Sequence, residues 1–139
     1  MYESIYPFIL SLILSVFLLL ITIIPVALAR YSKGFKYSYL KLPRKLYKKY
    51  PSWGKRAYWA HINSLESFAI HSPALIMASV LLSNGLPVKD IAMRSALIYP
   101  LFRCFYVGMF IFNKPILRSF FWGAGLGSSL LIYYGCINL

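Results

Sequence analysis

Acidic residues are scarce in this chain of 139 residues, which has three Asp and Glu residues against fifteen Lys and Arg residues. So few carboxylates exclude most enzymes that work with paired acids. The chain also has only two cysteines and two histidines. Cys104 and Cys136 are too far apart for a metal-binding motif and form no disulfide framework, so we interpret both as packing residues and expect no metal. Phosphate loops, HExxH helices and nucleophile elbows are absent as well.

Apolar residues make up 60% of the chain, and the mean hydropathy is +0.65. A soluble domain of this size would be far more polar. Four apolar segments, at about residues 9–29, 64–82, 91–112 and 117–137, are each long enough to cross the ~30 Å of bilayer hydrocarbon. Residues 1–29 contain no Lys or Arg, so we interpret the first segment as a permanent span rather than a signal peptide. The sequence therefore predicts one domain, residues 1–139, folded as an all-α integral membrane four-transmembrane-helix bundle.

Basic charge is concentrated between the first two apolar segments. Ten of the fifteen Lys and Arg residues, Lys33 among them, lie between Arg30 and Arg56. The positive-inside rule makes this basic loop, residues 30–58, cytoplasmic and puts both termini on the opposite side. Attraction to anionic lipids, at about 1 kcal/mol per basic residue, is one role for the charge, and steering of an anionic substrate is another. No recognition fold accompanies it, so we expect no nucleic-acid partner.

The second apolar segment carries a polar stripe. At ~100° per residue, Arg56 and Asn63 lie above one another, with Glu66 beside them. A carboxylate inside a span costs roughly 2.5–3.5 kcal/mol, so a partner and a role are expected for Glu66. His61 is off the stripe and is predicted to face a neighbouring helix, and His71 is predicted to form a structural hydrogen bond between helices.

The third apolar segment carries Arg103 on one face with Tyr106. Arg103 is the natural counter-charge for Glu66, and we predict that the two pair. The pair either only joins two helices or also offers Arg donors to a bound anion. In the fourth segment, Gly123 and Gly127 are four residues apart, which predicts close helix packing at both.

These motifs resemble the MAPEG family, the membrane-associated proteins of eicosanoid and glutathione metabolism. The resemblance rests on RAxxAHxNxxE from Arg56 to Glu66, on Arg103-x-x-Tyr106, and on Leu117-Arg118-Ser119 after Pro115. It covers nearly the whole chain and is strongest for the family's uncharacterised bacterial branch.

The resemblance implies a homotrimer that binds glutathione as a co-substrate between subunits, and a lipophilic small molecule taken from the membrane lipids. It also implies a transferase or peroxidase-like reaction in which Arg118 is catalytic and stabilises the thiolate. That role suits arginine, because a fixed cation lowers the pKa of a nearby thiol and arginine never loses its charge. The positions matching the family's glutathione-binding residues are Arg30, Arg56, His61, Asn63, Glu66, Arg103 and Tyr106.

Three positions depart from the family's best-known enzymes. Trp59 and Ile62 stand where those enzymes have arginines, and Phe110 stands where they have a tyrosine. A different thiol is therefore one alternative, and a non-catalytic scaffold that binds lipid or fatty acid is another. A small transporter is a third alternative, although the chain has no internal repeat of the kind transporters use.

Overall fold

The computed structural model describes residues 2–32, 34, 36–41 and 43–137, with the backbone alone for 2–4, 39–40 and 43–44. Lys33 of the predicted basic loop lies outside the described residues. The elements in chain order are α1 (Tyr2–Ile21), α2 (Ile23–Tyr31), α3 (Ser38–Lys41), a 3₁₀ helix (Pro43–Lys49), α4 (Ser52–Ser83), α5 (Asp90–Ile111) and α6 (Pro115–Cys136).

The first apolar segment forms two nearly continuous helices that meet at Thr22. Pro25 explains the break, because its ring removes the N–H that would bond the carbonyl of Ile21 and crowds that oxygen. Thr22 keeps helical angles, and its hydroxyl donates to the Leu19 carbonyl at 2.6 Å. The chain therefore continues in nearly the same direction through the break.

Four long helical units pack into a bundle, as the sequence predicts. The unit formed by α1 and α2 packs on α4, α1 also contacts α5, and α6 packs on α4 and α5. Two of the units, Ile5–Tyr31 and Ser52–Ser83, are apolar enough as well as long enough to cross a membrane. Helices α5 and α6 have 22 residues each, about 33 Å, which also matches a span.

Small side chains bring the helices together at the end of the bundle away from the basic segment, which is our name for the predicted basic loop of residues 30–58. Ala74, Ala78, Ala92 and Ala96 are fully buried there. A Cβ on Gly135 would lie 2.6 Å from the Cβ of Ala92, so α5 and α6 touch at this glycine. Cys136 packs in the same core, as expected, whereas Cys104 is exposed and its predicted packing role is wrong within one subunit.

The prediction of close packing at Gly123 and Gly127 is also wrong within one subunit. A Cβ on either residue would meet nothing within 4 Å. Gly125, between them, faces the core, where its Cβ would contact the Arg103 side chain at 3.4 Å. The four-residue spacing identified a small-residue strip but not the face that packs inside the subunit.

The 3₁₀ helix of the basic segment packs against the bundle. Leu46 and Tyr50 are buried against Val26, Ala29 and Ala57 of α2 and α4. The segment thus has a fixed position at the end of the bundle where α4 begins.

Candidate functional site

A buried polar stripe on the first helical unit faces α4. Ser11, Ser15 and Thr22 are 0%, 4% and 2% exposed, and steps of four and seven residues put them on one helix face. Ser11 bonds Nε2 of His71 at 3.1 Å, and Thr22 bonds Nδ1 of His61 at 2.7 Å. The two histidines therefore hold the first helical unit against α4.

His71 joins all four helical units. Its Nδ1 is 3.0 Å from Ser129 Oγ, and its ring stacks on Tyr99 with centroids 3.4 Å apart. Ser129 donates its hydroxyl proton to the Gly125 carbonyl, so the His71 Nδ1–H donates to Ser129 and Nε2 accepts from Ser11. Every hydrogen-bonding group of a neutral imidazole is satisfied. The prediction of a structural, interhelical His71 is confirmed.

Arg103 lies in the same core and is 1% exposed. Its Nη2 donates to Ser64 Oγ at 3.2 Å, and the guanidinium carbon lies 4.1 Å from the centroid of the Tyr106 ring. Nε and Nη1 have no hydrogen-bond partner. Glu66 is exposed, so the predicted Arg103–Glu66 pair is wrong within one subunit. The helical positions were compatible with a pair, but Arg103 turns inward to Ser64 while Glu66 turns outward.

A pocket opens between α4, α5 and α6 at the basic end of the bundle. Its volume is about 570 Å³, within the usual range for small-molecule sites. We call it the basic-end pocket; its lining residues are Asn63, Tyr106, Phe110, Arg118, Ser119, Trp122 and Gly123.

Arg118 is the cation of the basic-end pocket. It is half-buried in the first turns of α6, and its guanidinium carbon lies 4.5 Å from the centroid of the Phe110 ring. Within the described part of the chain, no carboxylate pairs with it. A cation held over an aromatic ring keeps its in-plane N–H donors available, because the ring uses only a face of the guanidinium.

The pocket combines predicted and unpredicted residues. Asn63, Tyr106 and Arg118 were predicted site residues, and Asn63 Nδ2 also donates to the Trp59 carbonyl at 3.1 Å. The sequence did not indicate that Ser119, Trp122 and Gly123 line a pocket. The available signal was spacing: Arg118 and Trp122 are one turn apart on α6, and Tyr106 and Phe110 are one turn apart on α5.

Four other predicted site residues make separate contacts within the subunit. Arg56 Nε donates to the Ile111 carbonyl at 3.0 Å and so joins the start of α4 to the end of α5. Arg30 Nε donates to the Tyr50 hydroxyl at 3.4 Å, and His61 bonds Thr22. Arg103 lies behind Tyr106, which lines the pocket. Glu66, the remaining one, is close enough to Tyr106 to interact with it electrostatically.

Trp59 has a defined contact of its own. Its indole Nε1 donates to the Tyr47 hydroxyl at 2.7 Å, and the two rings meet edge to face at 6.4 Å. This side chain attaches the 3₁₀ helix to α4, one turn before Asn63. Trp59 therefore contributes to holding the basic segment beside the basic-end pocket.

The chemistry available in the pocket follows from this donor set. A guanidinium, an amide, a phenol and a hydroxyl can bind an anion or a polar headgroup, while Phe110 and Trp122 offer apolar walls. Among the described residues the lining has no carboxylate, imidazole or thiol to act as base or nucleophile.

Comparison with known proteins gives one family. The family model described as MAPEG matches residues 8–138. Neither the curated proteins nor the solved structures give a match.

Proposed function

Since this chain belongs to the MAPEG family, we propose that it is a membrane-embedded transferase or peroxidase-like protein that uses glutathione or another thiol on a lipophilic substrate. The family comprises membrane-associated proteins and includes both glutathione-dependent enzymes and non-catalytic members. Membership thus supports membrane integration, and the choice between the two kinds of member depends on the site.

The observation that carries the catalytic proposal is the free donor edge of Arg118 inside an open pocket. A thiol has a pKa near 8.5 and is mostly protonated at neutral pH, so it needs a fixed cation to ionise. Arg118 offers that cation next to the apolar walls of Phe110 and Trp122. A thiol at Arg118 and a lipophilic electrophile against Phe110 and Trp122 would then meet in one pocket.

The proposed reaction needs no base from the protein. The thiol proton leaves to water at the pocket mouth, and the thiolate sulfur attacks an electrophilic carbon of the substrate. A carbon–sulfur bond forms as an electron pair moves onto the substrate oxygen, for instance by opening of an epoxide, and that oxygen then takes a proton from water. Arg118 stabilises the anion before attack, and the Asn63 amide and the Tyr106 phenol orient the thiol's polar groups.

We further propose that the chain is a homotrimer whose sites lie between subunits. Glu66 is exposed in the middle of α4, where lipid would otherwise surround a carboxylate. Arg30 donates to the Tyr50 hydroxyl of its own chain and also lies beside Tyr31. In the proposed trimer, Arg30 would also reach a carboxylate of a thiol bound by the next copy. Crosslinking and mass measurement in detergent should give three chains, and a stable monomer would contradict this proposal.

The orientation we propose puts the basic end of the bundle in the cytoplasm, following the positive-inside rule. A single introduced cysteine at exposed Lys48 tests it, after the native cysteines are replaced by alanine. A membrane-impermeant thiol reagent should label it in inside-out vesicles and leave it unlabelled in right-side-out vesicles.

Arg118→Ala is the decisive test of the catalytic proposal. We expect turnover with glutathione and an epoxide to fall roughly 100-fold, as for loss of one preorganised donor. The ultraviolet absorbance of the bound thiolate should decrease as well. Calorimetry should still detect thiol binding, since the neutral thiol depends less on the cation. The matched control is Arg94→Ala, which removes an exposed arginine near the start of α5, whereas the pocket lies at the end of that helix. Wild-type turnover in Arg118→Ala would remove Arg118 from the mechanism.

The second candidate function is a lipid- or fatty-acid-binding scaffold. The observation that favours it is the aromatic lining of the pocket. In addition, Trp59 stands where family enzymes have an arginine, and its indole is hydrogen-bonded to Tyr47. Native mass spectrometry should then retain a fatty acid that Arg118→Ala releases, and glutathione should leave the melting temperature unchanged.

A further inference from the structure

Arg103, Ser15 and Ser64 line a second, much smaller cavity in the middle of the bundle. They come from α5, α1 and α4, and the rest of the lining is Leu18, Leu19, Phe68 and Tyr99. Its volume of about 10 Å³ accommodates a single particle near the size of water. A carboxylate, a phosphate or a thiol would not fit.

The cavity has unpartnered donors. Nε and Nη1 of Arg103 and Oγ of Ser15 are all buried without a hydrogen-bond partner. Ser11 and Thr22, on the same stripe of the first helical unit, each bond a histidine of α4. Ser15 is therefore the one residue of this stripe without a hydrogen-bond partner among the described residues. A buried unsatisfied polar group costs about 1–3 kcal/mol, and more when it is charged.

The charge of Arg103 also lacks compensation inside the subunit. Tyr106 contributes its ring face and Ser64 one hydroxyl. Among the described residues no carboxylate reaches the guanidinium, and Arg103 is only 1% exposed. A membrane interior makes an isolated cation costly.

We propose that this cavity binds one monatomic anion, chloride under ordinary conditions, between Arg103 and Ser15. The Arg103 N–H groups can only donate, and the Ser15 hydroxyl can donate beside them, so an anion accepts from both residues while neutralising the guanidinium. A water molecule could also bond both residues, but it would leave the charge of Arg103 uncompensated. The anion would join α1 to α5, between the contacts that His71 and His61 make with the first helical unit. This inference is independent of any thiol chemistry in the basic-end pocket.

Halide-dependent stability tests the proposal. The melting temperature of the detergent-purified protein should rise saturably with sodium chloride or bromide, relative to sodium gluconate at equal ionic strength. Sulfate should not substitute, because the cavity admits one small particle. A melting temperature that is the same in chloride and gluconate would overturn the proposal.

Two serine variants make the test specific. Ser15→Ala removes one proposed ligand and should weaken the apparent halide affinity roughly ten- to a hundredfold, the value of one hydrogen bond to a charged group. Ser128→Ala is the matched control, because Ser128 is equally buried, at 5% exposed, and donates to the Ala124 carbonyl of its own helix. Equal halide curves for wild type and Ser15→Ala would contradict the site.

Two further measurements separate this site from the open pocket. The halide effect should persist in Arg118→Ala, and its loss there would assign the effect to the basic-end pocket instead. Crystals grown in bromide should show an anomalous peak beside Arg103. A peak only at surface cations, or a water molecule alone beside Arg103, would overturn the proposal.

Discussion

Arg103 and Arg118 lie on adjacent helices, and the structure gives them opposite environments. Arg103 is 1% exposed and belongs to a sealed polar core, which we define as Ser11, Ser15, Ser64, His71, Tyr99, Arg103 and Ser129. Arg118 lines the basic-end pocket and keeps its donors free. Both guanidinium groups lie over an aromatic ring, at 4.1 and 4.5 Å. The comparison shows that access, rather than residue type, separates a structural arginine from one available for chemistry.

Tyr106 lies between the two regions. It contacts the Arg103 guanidinium and also lines the pocket beside Arg118. A rigid core behind this ring fixes one wall of the pocket, and preorganised walls are what binding and catalysis require. The sealed core therefore contributes to the site without touching its ligand.

Removal of His71 should give the largest effect on stability. His71→Ala deletes a fully buried, stacked ring and leaves Ser11 without its partner, so we expect a loss of about 3–5 kcal/mol. The measurement is thermal unfolding in detergent. His61→Ala is the comparison, since His61 is half-buried and makes one side-chain hydrogen bond among the described residues, to Thr22. This variant should cost about 1 kcal/mol. Equal losses of stability would mean that the hydrogen bonds of buried His71 contribute no more than the single bond of half-buried His61.

Glycine substitutions separate the packed face of α6 from the pocket face. Gly135→Ala would put a methyl group 2.6 Å from the Ala92 Cβ, and we expect about 1–3 kcal/mol of destabilisation from overpacking. Gly123→Ala, in the pocket wall, meets nothing within 4 Å and should be neutral or up to ~1 kcal/mol stabilising, because alanine favours the helix. Melting temperatures of the two variants in one detergent show whether the two faces of α6 differ in this way. A destabilised Gly123→Ala would indicate that another chain packs on this strip.

Glu66→Gln should give the smallest effect. Breaking a buried pair with Arg103 would cost about 3–5 kcal/mol, whereas a change at an exposed side chain usually stays within ~0.5 kcal/mol. Because Glu66 is exposed and Arg103 bonds Ser64, we expect the small value for unfolding of the subunit. Thermal unfolding of dilute protein measures it. A large loss of unfolding free energy would indicate that Glu66 and Arg103 do pair in the assembled protein.

Much of the fold was predictable because its causes are local. The apolar runs define the four helical units, and Pro25, Pro51 and Pro115 lie at the break or at the start of a helix, where the sequence leaves little choice. The structural role of His71 was also predictable, since an imidazole inside a span needs partners. The contact of Trp59 with Tyr47 of the 3₁₀ helix was not predictable, because it depends on how a loop without regular periodicity packs back onto α4.

The site was only partly predictable, for the same reason. Asn63, Tyr106 and Arg118 were found from motifs, and they line one pocket. Helical periodicity places a side chain on a face but does not say which neighbouring helix that face meets. The predicted Arg103–Glu66 pair failed at this step, as did close packing at Gly123 and Gly127.

The sequence by itself determined that this is a membrane bundle with a basic end, a polar second span and one arginine at the head of its last helix. The tertiary structure alone decided which polar groups are sealed and which are open. Burial depends on the rotation of each helix about its axis, and that rotation is set by contacts between residues far apart in the chain, such as Ser11 with His71 and Gly135 with Ala92. Those contacts put Arg103 inside the bundle and leave Arg118 at its surface.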